Sequence, residues 1–198
     1  MRKIVVLTFM TLDGVMQAPG GKGEDPSGDF THEGWSVPYF DEAMGAEMEK
    51  QMGEPFDLLL GKTTYEIFAA YWREAEGGDN PINTAKKYVV SDAPFDTDWQ
   101  ETVQITDDVV AEIQKLKEGD GPMLQVHGSS NLIQTLLAND LVDELWLKTF
   151  PVTIGKGKRL FGEGTMPAAF TLAESMVTPS GIIAARYRRA GDLQTGSF

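Results

Sequence analysis

Residues 56–72 read FDLLLGKTTYEIFAAYW. Phe56, Leu58, Leu59 and Leu60 form a short apolar run with no polar interruption after Asp57, the pattern of a strand covered on both faces. Gly61 closes the run. Thr63 with Glu66 three positions later has the spacing of a capping box, in which hydroxyl and carboxylate each satisfy a free backbone N–H of a new helix. The stretch is therefore expected to run strand, tight turn, helix. Lys62 then stands beside a helix start whose unpaired N–H groups and dipole favour an anion, as a phosphate site requires. Taken alone, the junction also reads as an ordinary strand-to-helix connection with a good cap and a solvated lysine.

A chain of 198 residues with 41% hydrophobic content buries a sizeable core, and residues 1–198 are expected to form one domain. No composition break, internal repeat or long low-complexity block marks a linker; the glycine-dense patches, Pro19 to Gly34 and Gly155 to Gly164, are short and mixed. A formal charge of -13 argues against a nucleic-acid or anionic-membrane surface, since either wants a basic stripe. An anionic ligand then needs local basic residues. The absence of cysteine excludes disulfides, thiolate metal sites and cysteine nucleophiles. His32 and His127 are too far apart in sequence to argue a metal motif, so no metal is expected. The apolar run after Met1-Arg2-Lys3 is too short for a signal peptide, and no run approaches a membrane span, so a cytoplasmic protein is expected.

Around the opening stretch, Ile4 to Phe9 reads as a first strand buried on both faces, followed by the turn pair Asp13-Gly14 within Thr11 to Met16. Gln17 to Gly34 is a long glycine-rich loop with Phe30 and Trp35 as anchors, the length of a lid or binding loop rather than an idle connection. Tyr39 to Met52 has the spacing of an amphipathic helix with Phe40, Met44 and Met48 on one face. Tyr88-Val89-Val90, ending at Ser91, and Val103 with Ile105 suggest strands, and Thr106 is expected to cap a helix through Lys117. Met123 to Val126 is another buried strand. It leads through His127-Gly128-Ser129-Ser130-Asn131 into a helix carrying Leu132, Ile133, Leu136 and Leu137, and so repeats the opening logic. Gly128 lets the backbone approach a ligand, while the hydroxyls cap a helix or bind an oxyanion. If the strands are parallel, both helix starts open at one sheet edge and can hold two phosphates of one dinucleotide.

Leu145 to Phe150 is a further strand leaving into a basic glycine loop, and Phe170 to Val177 with Ile182 to Arg188 reads as an antiparallel hairpin. Arg186 and Arg188 fall on one face of that last strand, expected at solvent or a subunit contact. Strands alternating with helices and finished by a hairpin give an α/β three-layer sandwich whose central sheet is mixed but mainly parallel. The G-x-G-x-x-G fingerprint of the standard dinucleotide fold is missing from every strand–helix junction, as are the P-loop and the G-x-S-x-G elbow.

With these pieces in place the chain resembles the dihydrofolate reductase-like superfamily, specifically the group related to the C-terminal reductase domain of the bifunctional riboflavin-biosynthesis deaminase-reductase. The matching segments, in the family's order, are Leu12-Asp13-Gly14-Val15, Leu60-Gly61-Lys62-Thr63-Thr64-Tyr65-Glu66, Tyr88-Val89-Val90-Ser91, Val126-His127-Gly128-Ser129, and Leu141-Val142-Asp143-Glu144-Leu145 with Pro151 to Phe161. The resemblance implies a reduced nicotinamide cofactor, usually NADPH, across the C-terminal edge of the sheet, and a homodimer. It would place Gly61, Lys62, Thr63 and Thr64 on the phosphate side, where the family typically has arginine at the Lys62 position. Gly128, Ser129, Ser130, Asn131 and Leu132 would line the pyrophosphate, with Ser91 near the adenosine ribose. Leu12, Gly14, Val15 and Met16 would approach the nicotinamide beneath the long loop.

Riboflavin reductases commonly carry Glu-Gly-Gly at the second junction, where His127-Gly128-Ser129 stands here, and Asp92 beside Ser91 opposes a 2′-phosphate. The zinc deaminase half has no counterpart. The activity implied is that of an NADPH-dependent reductase of the 5-amino-6-(5-phosphoribosylamino)uracil reductase type. A dihydrofolate or pterin reductase-like enzyme, or a nucleotide-binding protein without turnover, stands as the alternative. Hydride transfer also needs a proton for the product, and Asp13 and Asp41 are the two candidates for the acid. Each also reads as a local cap, Asp13 of its turn and Asp41 of the following helix.

Overall fold

The computed structural model describes residues 1–163 and 165–197, without the side chains of residues 76 and 77; Gly164, the end of the second glycine patch, lies outside the described residues. Eight strands form one sheet: β1 Ile4–Thr11, β2 Phe56–Gly61, β3 Lys87–Val90, β4 Thr102–Ile105, β5 Met123–His127, β6 Glu144–Phe150, β7 Phe170–Val177 and β8 Ile183–Arg189. Their spatial order is β4-β3-β2-β5-β1-β6-β8-β7. The first six positions are parallel, and β8 and β7 add antiparallel to β6 as the expected hairpin edge. The helices are α1 Glu42–Met52, α2 Lys62–Trp72, the single turn α3 Pro81–Thr84, α4 Val109–Glu118 and α5 Ser130–Ala138.

Alternation along the strands divides the core between the two faces. Ile4 and Val6 of β1, Leu124 and Val126 of β5 and Leu145 and Leu147 of β6 pack with Ile113 of α4 and Ile133 and Leu136 of α5. On the other face Phe56, Leu58 and Leu60 of β2 meet Tyr65 and Ala69 of α2, while Phe150 of β6 meets Met44 of α1 with Phe30 and Trp35 of the long loop. The result is the three-layer arrangement expected from the sequence.

The order of the strands locates the site. From β2 the chain passes through α2 to β3 on one side, and from β5 it passes through α5 to β6 on the other. Right-handed crossovers put helices that travel in opposite directions on opposite faces. Because β2 and β5 are neighbours, the crevice beyond their C-terminal ends is the topological switch point of the sheet, where open α/β folds bind ligands.

Four local expectations are corrected. Helix α2 begins at Lys62 with Gly61 as N-cap and no side-chain cap, so Thr63 and Glu66 form no capping box. Glu66 instead stands 3.8 Å from Lys62, one turn away. Helix α4 begins at Val109 after Asp108, which holds a left-handed φ of 38°, and the Thr106 hydroxyl donates to Asp107 at 3.2 Å rather than capping the helix. Phe40 is half exposed and lies between a 3-10 turn, Val37–Tyr39, and α1, so it is not on the α1 face with Met44 and Met48. Arg186 is not solvated: its side chain is 13% exposed, with its guanidinium 4.0 Å over the Trp146 ring, and Arg188 alone of the pair faces solvent. Trp146 offers a flat apolar face two residues along β6 from Glu144, and a guanidinium, weakly hydrated and planar, stacks there readily.

Candidate active site

The two glycine junctions, remote in sequence, are bonded to each other. The Gly61 N–H donates to Ser129 Oγ at 2.9 Å, and the Ser129 N–H donates to Thr64 Oγ1 at 2.9 Å. Neither helix has a local side-chain cap: Gly61, the N-cap of α2, has no side chain, and Ser129, the N-cap of α5, turns its hydroxyl to Gly61 instead. The two bonds tie β2–α2 to β5–α5. Ser129 is held with φ at 36° and Gly128 at 57°, a left-handed pair that turns the chain sharply into α5. A Cβ at Gly128 would lie 3.2 Å from Thr64 Cγ2, so glycine is what allows the approach. With no side chain over them, the first N–H groups of α2 and α5 stay open to an anion in the crevice.

A cavity of about 730 Å³ occupies this switch point. Gly61, Lys62, Thr63, Thr64, Ser91, Gly128, Ser129, Ser130, Asn131 and Leu132 all line it. Ser91 is buried and turns its hydroxyl to Ala93 O at 2.9 Å, and Asp92 lines the same rim. Lys62 lies with its ammonium 5.1 Å from the Phe95 ring and its stem against the opening.

The long loop closes the other side with Gln17, Ala18, Gly20, Glu24 and Asp25. It is internally tied rather than loose. Gln17 donates to the carbonyls of Asp25 and Ser27, accepts from Lys158 N, and its own carbonyl accepts from Trp35 Nε1 at 2.8 Å. Lys158 of the basic glycine loop pairs with Asp25 at 2.7 Å, which holds the loop tip to the sheet edge.

Other sequence candidates fall elsewhere. Asp13 lies outside the cavity lining. Its carboxylate accepts from the Thr11 hydroxyl and from the N–H groups of Ile154, at 3.2 Å, and Gly155, at 2.7 Å, so it clamps the β1 turn to the loop after β6. The Thr11 hydroxyl foremost, with those backbone donors, lowers its pKa to about 2 against the opposing effect of burial. A carboxylate so fixed in its ionised form is a poor proton donor near neutrality. Asp41 is the N-cap of α1, accepting from Met44 N at 2.9 Å and Ser180 N at 3.0 Å, and the Met44 N–H leads the causes that lower its pKa. It does not line the cavity either. Leu12 is 61% exposed, and neither it, Gly14 nor the buried Val15 reaches the cavity wall, whereas Met16 does. The turn is nonetheless built as expected, with Gly14 closing it through its N–H to Thr11 O.

His127 is both a core residue and a wall residue. It lines the cavity, packs against Phe68 and shares a 3.0 Å bond between Nε2 and Gln125 Oε1. Burial, helped by the charge on Lys148, lowers its pKa to about 3, so it is neutral near pH 7. Lys148 is the residue that sequence reasoning passed over. It is buried, lines the cavity, and bonds to Gln51 Oε1. The available signal was a lysine in phase with Trp146 and Phe150 inside the otherwise apolar strand ELWLKTF. Among the described residues no group of three or more His, Cys, Asp or Glu is placed to hold a metal ion, and no helix is long and apolar enough to cross a membrane.

Residues 2–184 match the RibD C-terminal domain family. The chain belongs to that family. Similarity extends to YyaP, an uncharacterized protein of Bacillus subtilis (strain 168), which is 26% identical over 196 residues, 96% of each chain. Among solved structures, a candidate riboflavin biosynthesis protein from Shewanella sp. PV-4 superposes with a TM-score of 0.66 at 22% identity, covering 95% of this chain and 99% of that one. A pyrimidine reductase-like protein from Corynebacterium diphtheriae gives a TM-score of 0.66 at 14% identity over 96% of this chain and 93% of its own. Dihydrofolate reductase from Enterococcus faecalis, complexed with NADP(H) and RAB-propyl, gives 0.59 at 14% identity, covering 94% and 96%. These likenesses establish a dihydrofolate reductase-like fold for this RibD C-terminal domain chain.

Proposed function

We propose that the protein is an NADPH-dependent reductase that transfers hydride to a small heterocyclic or sugar-linked substrate, resembling 5-amino-6-(5-phosphoribosylamino)uracil reductase. The observation that carries this reading is the crossed pair of hydrogen bonds between Gly61, Thr64 and Ser129. It brings two uncapped helix starts to one cavity at the switch point, the donor set that a dinucleotide's phosphates need. The residues present fit the cofactor. The open N–H groups of α2 and of α5 from Ser130 to Leu132 would hold the pyrophosphate. Lys62 would meet the 2′-phosphate side, and Ser91 the adenosine ribose.

Bound there, the reduced nicotinamide supplies the hydride; the chain contributes position and a dry, charged wall. Met16, the 17–25 loop and the Lys158–Asp25 pair would exclude water from the reacting end. A homodimer is proposed with this reading and is tested by sedimentation.

Calorimetric titration with NADPH, paired with tryptophan fluorescence, tests the assignment. Saturable one-to-one binding is expected, weakened at least tenfold in Gly128→Ala, where the added Cβ presses on Thr64 and breaks the crossed bonds. No heat and no quenching at high protein concentration would remove the reading.

A further inference from the structure

The far end of the cavity holds a charge that the dinucleotide reading does not use. Lys148 stands opposite Phe9 of β1 and Ala184 of β8, on the face that carries Leu7, Gln125 and His127 and that α1 covers. By strand spacing of ~4.8 Å and a rise of ~3.3 Å per residue it sits roughly 12 Å from His127, where the second junction begins. Only 1% of the residue is exposed, yet it shares the cavity wall with Phe9, Met48 and Met52. An ammonium carries three donors, and among the described residues the bond to Gln51 Oε1 is the one that Nζ makes. It has no carboxylate within ion-pair distance among them.

Gln51 is itself locked. Its side-chain amide donates to Glu47 Oε1 at 2.6 Å, its backbone carbonyl accepts from Gln125 Nε2 at 3.3 Å, and Gln125 Oε1 is engaged by His127 Nε2. The Glu47 carboxylate, by accepting from the Gln51 amide nitrogen, leaves Gln51 Oε1 directed at Lys148, while neutral His127 donates its Nε2–H to Gln125 Oε1 and orients Gln125 toward the α1 backbone. Burial lowers the Lys148 pKa to about 7; Glu47 on α1 works against that shift, and Arg186 on β8 with it. His127 on β5 faces the same space uncharged, and β1 lines it with Leu7, Thr8 and Phe9, none of which carries a charge. Burying an ammonium without a counter-ion opposes folding, a cost that a methionine in the same place would avoid. The locked acceptor and the unused donors describe a group kept for a ligand rather than for stability.

We propose that Lys148 is the catalytic residue of the substrate end, binding and protonating the heteroatom of a conjugated C=O or C=N group while hydride adds to its carbon. This rests on the nicotinamide reading, which supplies a reduced nicotinamide dinucleotide as the two-electron donor. A C–H bond forms at the acceptor carbon and the π pair of C=X moves to X. An X–H bond forms as one Lys148 N–H bond breaks. The acceptor is reduced by two electrons, the dinucleotide is oxidised by two, and Lys148, left neutral, regains its proton from solvent before the next turnover. The substrate class is thus a planar conjugated carbonyl or imine whose heteroatom reaches Nζ.

The test uses the full chain, wild type and Lys148→Met. Competitive acetylation with acetic anhydride, read by peptide mass spectrometry from pH 5 to 10, is expected to label Lys148 with a midpoint near pH 7, with surface lysines such as Lys22 titrating well above it. A Lys148 that resists labelling in the folded protein overturns the proposal. NADPH oxidation is then followed against pterins, phosphoribosyl-pyrimidines and quinones. Lys148→Met is expected to bind NADPH within twofold of wild type by fluorescence, to match or exceed its Tm, and to lose at least 100-fold in kcat together with the alkaline limb of the pH profile. Equal turnover with an unchanged profile sinks the role of Lys148 and leaves the dinucleotide reading standing. Failure of wild type to bind NADPH sinks both. If no acceptor on the panel is reduced, protection of Lys148 from acetylation by a panel compound in the presence of NADP+ takes the place of turnover, and absence of protection by every compound overturns the proposal.

Discussion

Gly157 shows how a single hydrogen atom fits the loop after β6 against the core beneath it. It sits in the basic loop at φ 138°, and a Cβ there would lie 2.7 Å from Val15 Cγ1 and 2.9 Å from the Phe30 ring. Both neighbours are buried, so neither yields easily. Overpacking of this kind typically costs about 1–3 kcal/mol, and the left-handed φ adds strain. Gly157→Ala is therefore expected to lower the urea midpoint with an unchanged m-value and to loosen the Lys158–Asp25 tie; a midpoint equal to wild type would contradict the packing described.

Asp13 offers a test by pH. Its folded pKa of about 2 lies below the ordinary 3.8, so its contribution is present above about pH 4 and is lost as pH falls toward 2. Asp13→Asn should be less stable than wild type at pH 7, and the gap should narrow through that window. A gap that stays constant from pH 5 to pH 2 would show that the carboxylate does not clamp the turn. Lys148 has the opposite pattern: a folded pKa near 7 below an ordinary 10.5 means that its charge destabilises the fold increasingly as pH drops through that interval, with no further loss below it.

At the level of elements, the crossed bonds make two helix starts one unit. Thr64→Val removes the acceptor for Ser129 N–H, and Ser129→Ala removes the acceptor for Gly61 N–H. Each is expected to cost about 1 kcal/mol, and the double variant less than their sum, with a coupling of about 0.5 kcal/mol or more. Strict additivity in chemical denaturation would show that the junctions act independently. The same bonds explain what the sequence could and could not reveal. Buried parallel strands announce themselves as apolar runs, so β1, β2, β5 and β6 were legible, and the glycine and hydroxyl residues after β2 and β5 marked the wall that Gly61 to Thr64 and Gly128 to Leu132 build.

Thr63-x-x-Glu66 fits the local capping rule, but the α2 start at Gly61 finds its partner 68 positions away, its N–H donating to Ser129 Oγ. Asp13 and Asp41 were candidates by their place in the family's order. Their backbone donors come from Ile154, Gly155 and Ser180, contacts that no local pattern encodes. Lys148 was legible only in phase, as a charge on the inward side of a strand, and its meaning depended on α1 bringing Gln51 over it.

Across the whole molecule, the test of the site is linkage between ligand and stability. A ligand that binds only the folded chain stabilises it by about 2.7 kcal/mol when present at ~100 times its Kd. In a chain of this length about 1 kcal/mol moves Tm by roughly 2–4 °C, so saturating NADPH is expected to raise Tm by roughly 5–11 °C. The overall charge of -13 opposes an anionic cofactor at long range, but at ~0.15 M salt the screening length is about 8 Å, and the partners that matter are then those in the cavity itself. On the proposed reading Lys62 and the two helix starts would attract the phosphates, and Asp92 on the same rim would repel a 2′-phosphate. NADPH is expected to give the larger shift than NADH because Lys62 outweighs Asp92, and Lys62→Ala should bring the NADPH shift down to that of NADH or below. A larger shift with NADH in wild type would reverse that ranking and make Asp92 the residue that selects the cofactor. No shift with either nucleotide would mean that the crevice between β2 and β5 holds something other than a nicotinamide dinucleotide.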